Sequence, residues 1–364
     1  MRSFRSLLTA GLISTLAAPA MADSPPAVMT SIKPVHSLVS AVMQGVSEPG
    51  LIVEGAASPH SYALKPSQAA KLSKATHVFW IGHELEAFLE KPIETVAAHA
   101  HAVELLEAEG LQTHEFREGG TFDAHDHDHE EHDEHDHEDG EHAHDDHDHE
   151  DHDHEDHDHE DHDHEDHDHD HDHDEDHAEM DEDHHDEHEG HHHEGKDPHI
   201  WLDPQNAIAM VRKIADVLSE DDPANADRYA ANAAATIADL NKLIDEVSAQ
   251  LAPLHDKQYV VFHDAYQYFE ERFGLHAAGS ITISPEITPG AERIHEIRDR
   301  VQDLGASCVF AEPQFEPRII SVVLEGSNAK AGTIDPLGAD LDDGPELYFN
   351  LIRNMATSMR DCLS

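Results

Sequence analysis

Three histidines in this chain of 364 residues stand where an imidazole could act as a metal ligand: His60 in GAASPHSYALKPSQ, His199 in DPHIWLDP and His263 at the close of QYVVFH. His60 and His199 each follow a proline, which restricts the backbone beside the ring. His263 ends a strand-like run, and His60 follows the run Leu51 to Glu54; ligands of open α/β sheets bind beyond the carboxyl ends of strands. Three neutral imidazoles suit Zn²⁺ and leave a fourth tetrahedral position for water or a carboxylate. Asp335, in GTIDPLG after another strand-like run, is the candidate carboxylate. By spacing alone the set is weak, because more than sixty residues separate one histidine from the next. His36, His77 and His83 lie in apolar patterns or at a helix start and read as structural, while His99, His101, His114, His255, His276 and His295 read as surface residues. Trp80 and Trp201 read as core or cleft-wall aromatics.

A second feature points to metal. Residues 123–194 hold 39 of the 79 acidic residues and 27 of the 39 histidines, with no Lys or Arg, and EDHDH occurs four times in succession from Glu150 to His169. A tract that loses all hydrophobic periodicity cannot bury enough apolar surface to fold, so it is expected to be a disordered loop that binds several Zn²⁺ ions weakly. Its reading as a zinc collector stands against a bland one, a solvated acidic loop that meets metal incidentally. The net charge of −57 disfavours nucleic acid and anionic lipid as partners and favours cations.

The elements that must position the histidines are short. Val28 to Ile32, Leu51 to Glu54, His77 to Ile81, Tyr259 to His263, Ala278 to Ile283, Ser307 to Ala311 and Gly332 to Ile334 are apolar runs bounded by turn residues and are expected as buried strands. Ser67 to Lys74, Tyr266 to Phe273, Ala291 to Leu304 and Pro345 to Cys362 have helical patterns. Such alternation predicts an α/β fold with parallel sheets. An Ala-rich stretch without glycine, 223–251, predicts one long helix joining lobes at 24–222 and 252–364. The start, MRSFRSLLTAGLISTLAAPAMA, has basic Arg2 and Arg5, an apolar run and small residues Ala20 and Ala22, and is expected to be a signal peptide over 1–22. The mature chain is then a soluble periplasmic protein, and the absence of a cysteine at the cleavage point argues against a lipid anchor. In an oxidising compartment the two cysteines, Cys308 and Cys362, read as a disulfide, with two buried free thiols as the alternative.

The stretches SIKPVHSLV, PHSYALKPSQ, VFWIGHELEAFL, DPHIWLDP, VVFHDAYQYFEERFGL, SPEITPGAERI and IDPLG together resemble the zinc-binding protein of ZnuABC-type uptake transporters, within the cluster of metal receptors for manganese and zinc. The resemblance covers nearly all of the chain outside the leader and the acidic tract. It implies two Rossmann-like lobes joined by a rigid helix, a cleft between them holding Zn²⁺ on His60, His199 and His263, and an ABC permease in the inner membrane as partner to a monomeric receptor. Manganese receptors of this cluster place a carboxylate where this chain has His263, which favours zinc. Some zinc receptors have a glutamate before the first ligand histidine; here that residue is Pro59, so water and Asp335 both stay open as fourth ligand. The resemblance also supports the Cys308–Cys362 pair.

Two other readings remain at this point. A manganese receptor or metal-linked adhesin keeps the fold and changes the ion. A zinc hydrolase needs an acid or base beside a metal-bound water, for which Asp335 or Glu312 could serve. Against an enzyme, neither His60 nor His263 shares a helix with a second ligand, as the HExxH arrangement requires, and there is no GxSxG.

Overall fold

The computed structural model describes residues 25–117, 195–282, 285, 289–303, 305–315 and 318–364. The expected leader at 1–22 and the histidine tract at 123–194 lie outside the described residues. Short strands of mostly apolar residues form the frame. β1 (Val28–Thr30), β2 (Gly50–Leu51), β3 (His77–Trp80) and β4 (His101–Glu104) make a parallel sheet in the order β2-β1-β3-β4. β5 (Tyr259–His263), β6 (Gly279–Thr282), β7 (Cys308–Ala311) and β8 (Lys330–Thr333) make a second, in the order β6-β5-β7-β8. Every residue of β1, β3 and β5 is buried, the condition of parallel strands covered on both faces. In each sheet the earliest strand, β1 or β5, has its two successors on opposite sides. A crevice opens at such a switch point, beyond the carboxyl ends of the strands.

Helices α1 (Lys33–Val42), α2 (Pro66–Leu72) and α3 (His83–Thr95) accompany the first sheet, and α6 (Gln267–Phe273), α7 (Ala291–Asp303) and α8 (Arg318–Leu324) the second. Between them in sequence run α4 (Pro204–Asp221) and α5 (Ala226–Leu251), and α9 (Leu347–Leu363) follows β8. α4 starts sharply because Asp203 accepts the Gln205 backbone N–H at 2.7 Å and Pro204 takes the first helical position. α5 buries Tyr229, Ala233, Thr236, Leu240, Leu243, Val247 and Leu251, one stripe at helical spacing. Its 26 residues span roughly 39 Å at 1.5 Å each.

One apolar cluster continues from Val35 and Val39 of α1 through Leu240 and Val247 of α5 to Ile352 and Met355 of α9. A smaller one lies under α7 and α8, around Val260, Ile281, Val309 and Ile320. Polar contacts fasten the same seam: Lys33 Nζ donates to the Leu341 carbonyl at 2.7 Å, and the Tyr348 N–H donates to Ser37 Oγ at 2.9 Å. The Cys308–Cys362 disulfide ties the start of β7 to the end of α9.

Three strands differ from expectation. β8, expected as a buried strand at Gly332 to Ile334, runs Lys330–Thr333 with all but Gly332 exposed. β4 carries no strand signal, because His101 and Ala102 are exposed and only Val103 is fully buried. β2 is confined to Gly50–Leu51, although the N–H groups of Ile52 and Val53 still bond the Thr30 and Ser31 carbonyls at 3.0 and 2.8 Å.

Candidate metal centre

The structure brings His60, His199 and His263 together: one ring nitrogen from each lies within 4.8 Å of the other two. His263 is the last residue of β5, at the switch point of the second sheet. His60 sits in a single 3-10 turn, Pro59–Ser61, whose first position is the proline that precedes it. His199 caps another such turn, Ile200–Leu202, just ahead of α4. The ring centroids are 5.3 Å apart for His60–His199, 5.9 Å for His60–His263 and 5.3 Å for His199–His263.

Each of the two buried rings is aimed by a carboxylate. His199 Nδ1 lies 2.7 Å from Asp197 Oδ1, which also accepts the His199 backbone N–H at 3.0 Å. His263 Nδ1 lies 2.7 Å from Glu312 Oε1. A carboxylate needs a proton on the nitrogen facing it, so both rings carry their hydrogen on Nδ1 and turn an Nε2 lone pair toward the centre. His263 Nε2 is buried with no hydrogen-bond partner, and His60 Nε2 is 3.2 Å from His199 Nε2. Two imidazole nitrogens on a tetrahedral Zn²⁺ at about 2.05 Å stand about 3.3 Å apart, so the donor set fits that ion. The free space at the centre, about 10 Å³, holds one water-sized sphere.

Electrostatics favours lone pairs over protons on two of the rings. Burial, then the neighbouring histidines, pushes the His60 pKa well below 6.5, and burial with the nearby His263 does the same to His199. His263 goes the other way: burial pulls its pKa down, but the charge and hydrogen bond of Glu312, with Asp264 and Asp197, outweigh that and raise it. Burial raises Asp197 to about 7, against the opposing His199 N–H bond and the charge of Arg117. Arg117 itself pairs with Asp264 and, at 2.7 Å, with Glu270. Trp201 walls the site, its ring 5.3 Å from His199 and its Nε1–H bonded to the Pro336 carbonyl at 2.8 Å.

Asp335 stands outside the three-histidine group. Its Oδ1 accepts the N–H groups of Leu337 and Gly338 and the Gln314 amide at 3.0 to 3.1 Å, and its Oδ2 accepts the Ala339 N–H at 2.6 Å. The carboxylate organises the IDPLG turn, whose Gly338 has φ +71°, a backbone region that favours glycine. Sequence reasoning missed Asp197 and Glu312 as partners of the ligand rings. Asp197 had a local signal, an aspartate two residues before a histidine; Glu312 is 49 residues from His263 and had none.

Two parallel-sheet lobes with a long helix between them are the fold seen in "Crystal structure of ZnuA", a match that covers 93% of this chain and 100% of that one at a TM-score of 0.66 and 21% identity. At that identity the likeness establishes the fold. Residues 28–362 match the family described as "ZnuA: Zinc-uptake complex component A periplasmic", and the chain belongs to that family. The "High-affinity zinc uptake system protein ZnuA" of Brucella suis biovar 1 is 50% identical over 365 residues, the whole of both chains. Its namesake in Paracoccus denitrificans is 39% identical over 359 residues, 98% of each.

Proposed function

We propose that this chain is a periplasmic receptor that binds one Zn²⁺ tightly through the Nε2 atoms of His60, His199 and His263 and delivers it to an ABC permease in the inner membrane. It acts as a monomer, with lobes at 24–222 and 252–364 joined by the helix at 223–251, and the tract at 123–194 gathers further Zn²⁺ on weaker sites. The observation that carries the reading is the buried, unpartnered Nε2 of His263 facing the 3.2 Å pair of His60 and His199 nitrogens. An unpaired buried acceptor costs about 1–3 kcal/mol, and a cation shared with the other two rings removes that cost at His263. Family membership and the relatives' names support zinc uptake as the task. Within the described residues no helix is long and apolar enough to cross a membrane. A three-imidazole set suits Zn²⁺ over Mn²⁺. Water takes the fourth position, because the Asp335 oxygens are occupied by the turn. The same commitments weaken the hydrolase reading: Glu312 is engaged by His263 and Asp335 by the turn.

The test is calorimetric titration of Zn²⁺ into the mature protein with and without residues 123–194, with Mn²⁺ as competitor. The expected result is one tight zinc site in both proteins that Mn²⁺ does not displace, lost in His60→Ala, His199→Ala and His263→Ala. Tight binding that disappears with the tract, and survives the three substitutions, overturns the reading.

A further inference from the structure

We propose that His77, His101 and Asp221 form a second, surface site for a divalent transition-metal cation of the Zn²⁺ class, at the end of the first sheet away from the cleft. His77 and His101 are the first residues of β3 and β4 and are partners in register across the parallel pair. Neighbouring strands lie about 4.8 Å apart, so in-register histidines stand side by side on one face. Their ring centroids are 5.7 Å apart. Asp221, the last residue of α4, reaches both: its Oδ2 is 2.8 Å from His77 Nε2 and 2.9 Å from His101 Nδ1. The ligands of the cleft come instead from beyond the carboxyl ends of β2 and β5, so the two sites occupy opposite ends of the strands.

Three features make this a metal site rather than a shared hydrogen bond alone. The donor set, two imidazoles and one carboxylate, is that of open three-ligand zinc centres with a water in the fourth place. One oxygen serves two ring nitrogens, the three ligand atoms lie within 4.8 Å of one another, and a dication with bonds of about 2.0–2.1 Å needs each oxygen–nitrogen distance to lengthen by only about half an ångström. Asp221, whose side chain is 38% exposed, has the room to do so. Finally, the last turn of α4 has no basic residue, while Glu220 and Asp222 flank Asp221. A carboxylate at a helix carboxyl end meets the negative pole of the helix, which a bound dication offsets. The pair of rings is held in place: Thr76 Oγ1 lies 2.9 Å from His77 Nδ1, and His77 is buried. His101, half exposed, keeps the site open to exchange with solvent.

The test reads single residues in the full mature chain, because the histidine tract dominates any bulk count of zinc. Histidines are carbethoxylated with diethyl pyrocarbonate at increasing Zn²⁺, and the modification rate of each is followed by tandem mass spectrometry. The expected result is at least a fivefold slowing at His101, with His99, exposed and outside the cluster, modified at an unchanged rate. In Asp221→Asn the same protection should need at least tenfold more zinc, while protection at His60 is retained. His101 modified equally with and without zinc while His60 is protected overturns the proposal, as does full protection of His101 in Asp221→Asn. Loss of zinc protection at His60 in the unaltered chain is a failure of the cleft reading alone.

Discussion

Replacing Glu312 with Gln should change the pH dependence of zinc binding as well as its strength. Glu312 and His263 are both buried and meet at 2.7 Å. Burial acts to lower the His263 pKa, and the Glu312 charge and hydrogen bond, aided by Asp264 and Asp197, reverse it to a value above 6.5. A proton on Nε2 must leave before the metal enters. For an imidazole titrating at 6.5, moving from pH 7.5 to 5.5 raises the apparent Kd about tenfold, so the unaltered protein should lose more than that. In Glu312→Gln only Asp264 and Asp197 still oppose burial, so the His263 pKa falls and the same change of pH weakens binding less than in the unaltered protein. At pH 7.5 the variant should bind about 10–100-fold more weakly, or roughly 1.4–2.7 kcal/mol, because the carboxylate no longer orients the ring and raises its basicity. His60 and His199, held well below 6.5 chiefly by burial, add little over this range. The two curves should therefore converge as pH falls. The assay is Trp201 fluorescence, from a ring 5.3 Å from His199, in chelator-buffered Zn²⁺ too dilute to fill weaker sites. Curves that stay parallel between pH 7.5 and 5.5 refute the reasoning.

Three further outcomes are expected. The double variant Cys308→Ser, Cys362→Ser frees a loop of 54 residues, for which chain entropy gives at most about 4 kcal/mol; urea unfolding should show a loss of about 2–4 kcal/mol with zinc affinity unchanged. Glu86, which accepts the Ile81 and Gly82 N–H groups at 3.1 Å, is raised by burial to about 7 from 4.5. The native state therefore holds a proton that the unfolded chain has released between those pH values, so stability without metal falls by about 3 kcal/mol as pH rises from 4.5 past 7, a slope that urea titrations of Glu86→Gln should find largely removed. Arg117→Met leaves buried Asp264 and Glu270 without their cation and should destabilise by about 3–5 kcal/mol, part of which Glu270→Gln restores, as read by the shift of the urea midpoint.

The sequence reveals most where burial is complete and least where contacts are distant. Tyr259–His263 is legible as a strand because all five residues are buried and the run has no polar interruption, and its bounds match the expectation. The three ligand candidates are legible because two follow prolines and the third ends that strand. β4 is not legible, since a half-exposed edge strand starting HAVE looks like any polar connection. Nor is the pairing of Glu312 with His263, or of Asp221 with two strand histidines 120 and 144 residues away, because nothing local in the chain encodes a contact made only after sheets and helices have packed. Asp335 shows the converse. Its neighbours Pro336 and Gly338 signal a turn, and the turn is where its oxygens are used.

The seam between α1 and α9 bears on how the chain is made. Ser37 and Tyr348 are 311 positions apart, yet they share a hydrogen bond in the apolar cluster that covers α1. The cover over Val35, Val39 and Val42, begun by α4 and α5, is thus completed only when α9 has appeared. Contacts of such length slow folding and leave apolar surface open to association in the interval. The first sheet is accordingly synthesised early and finished late. A variant that weakens α9 should therefore appear first as reduced yield of protein and only afterwards as reduced zinc uptake.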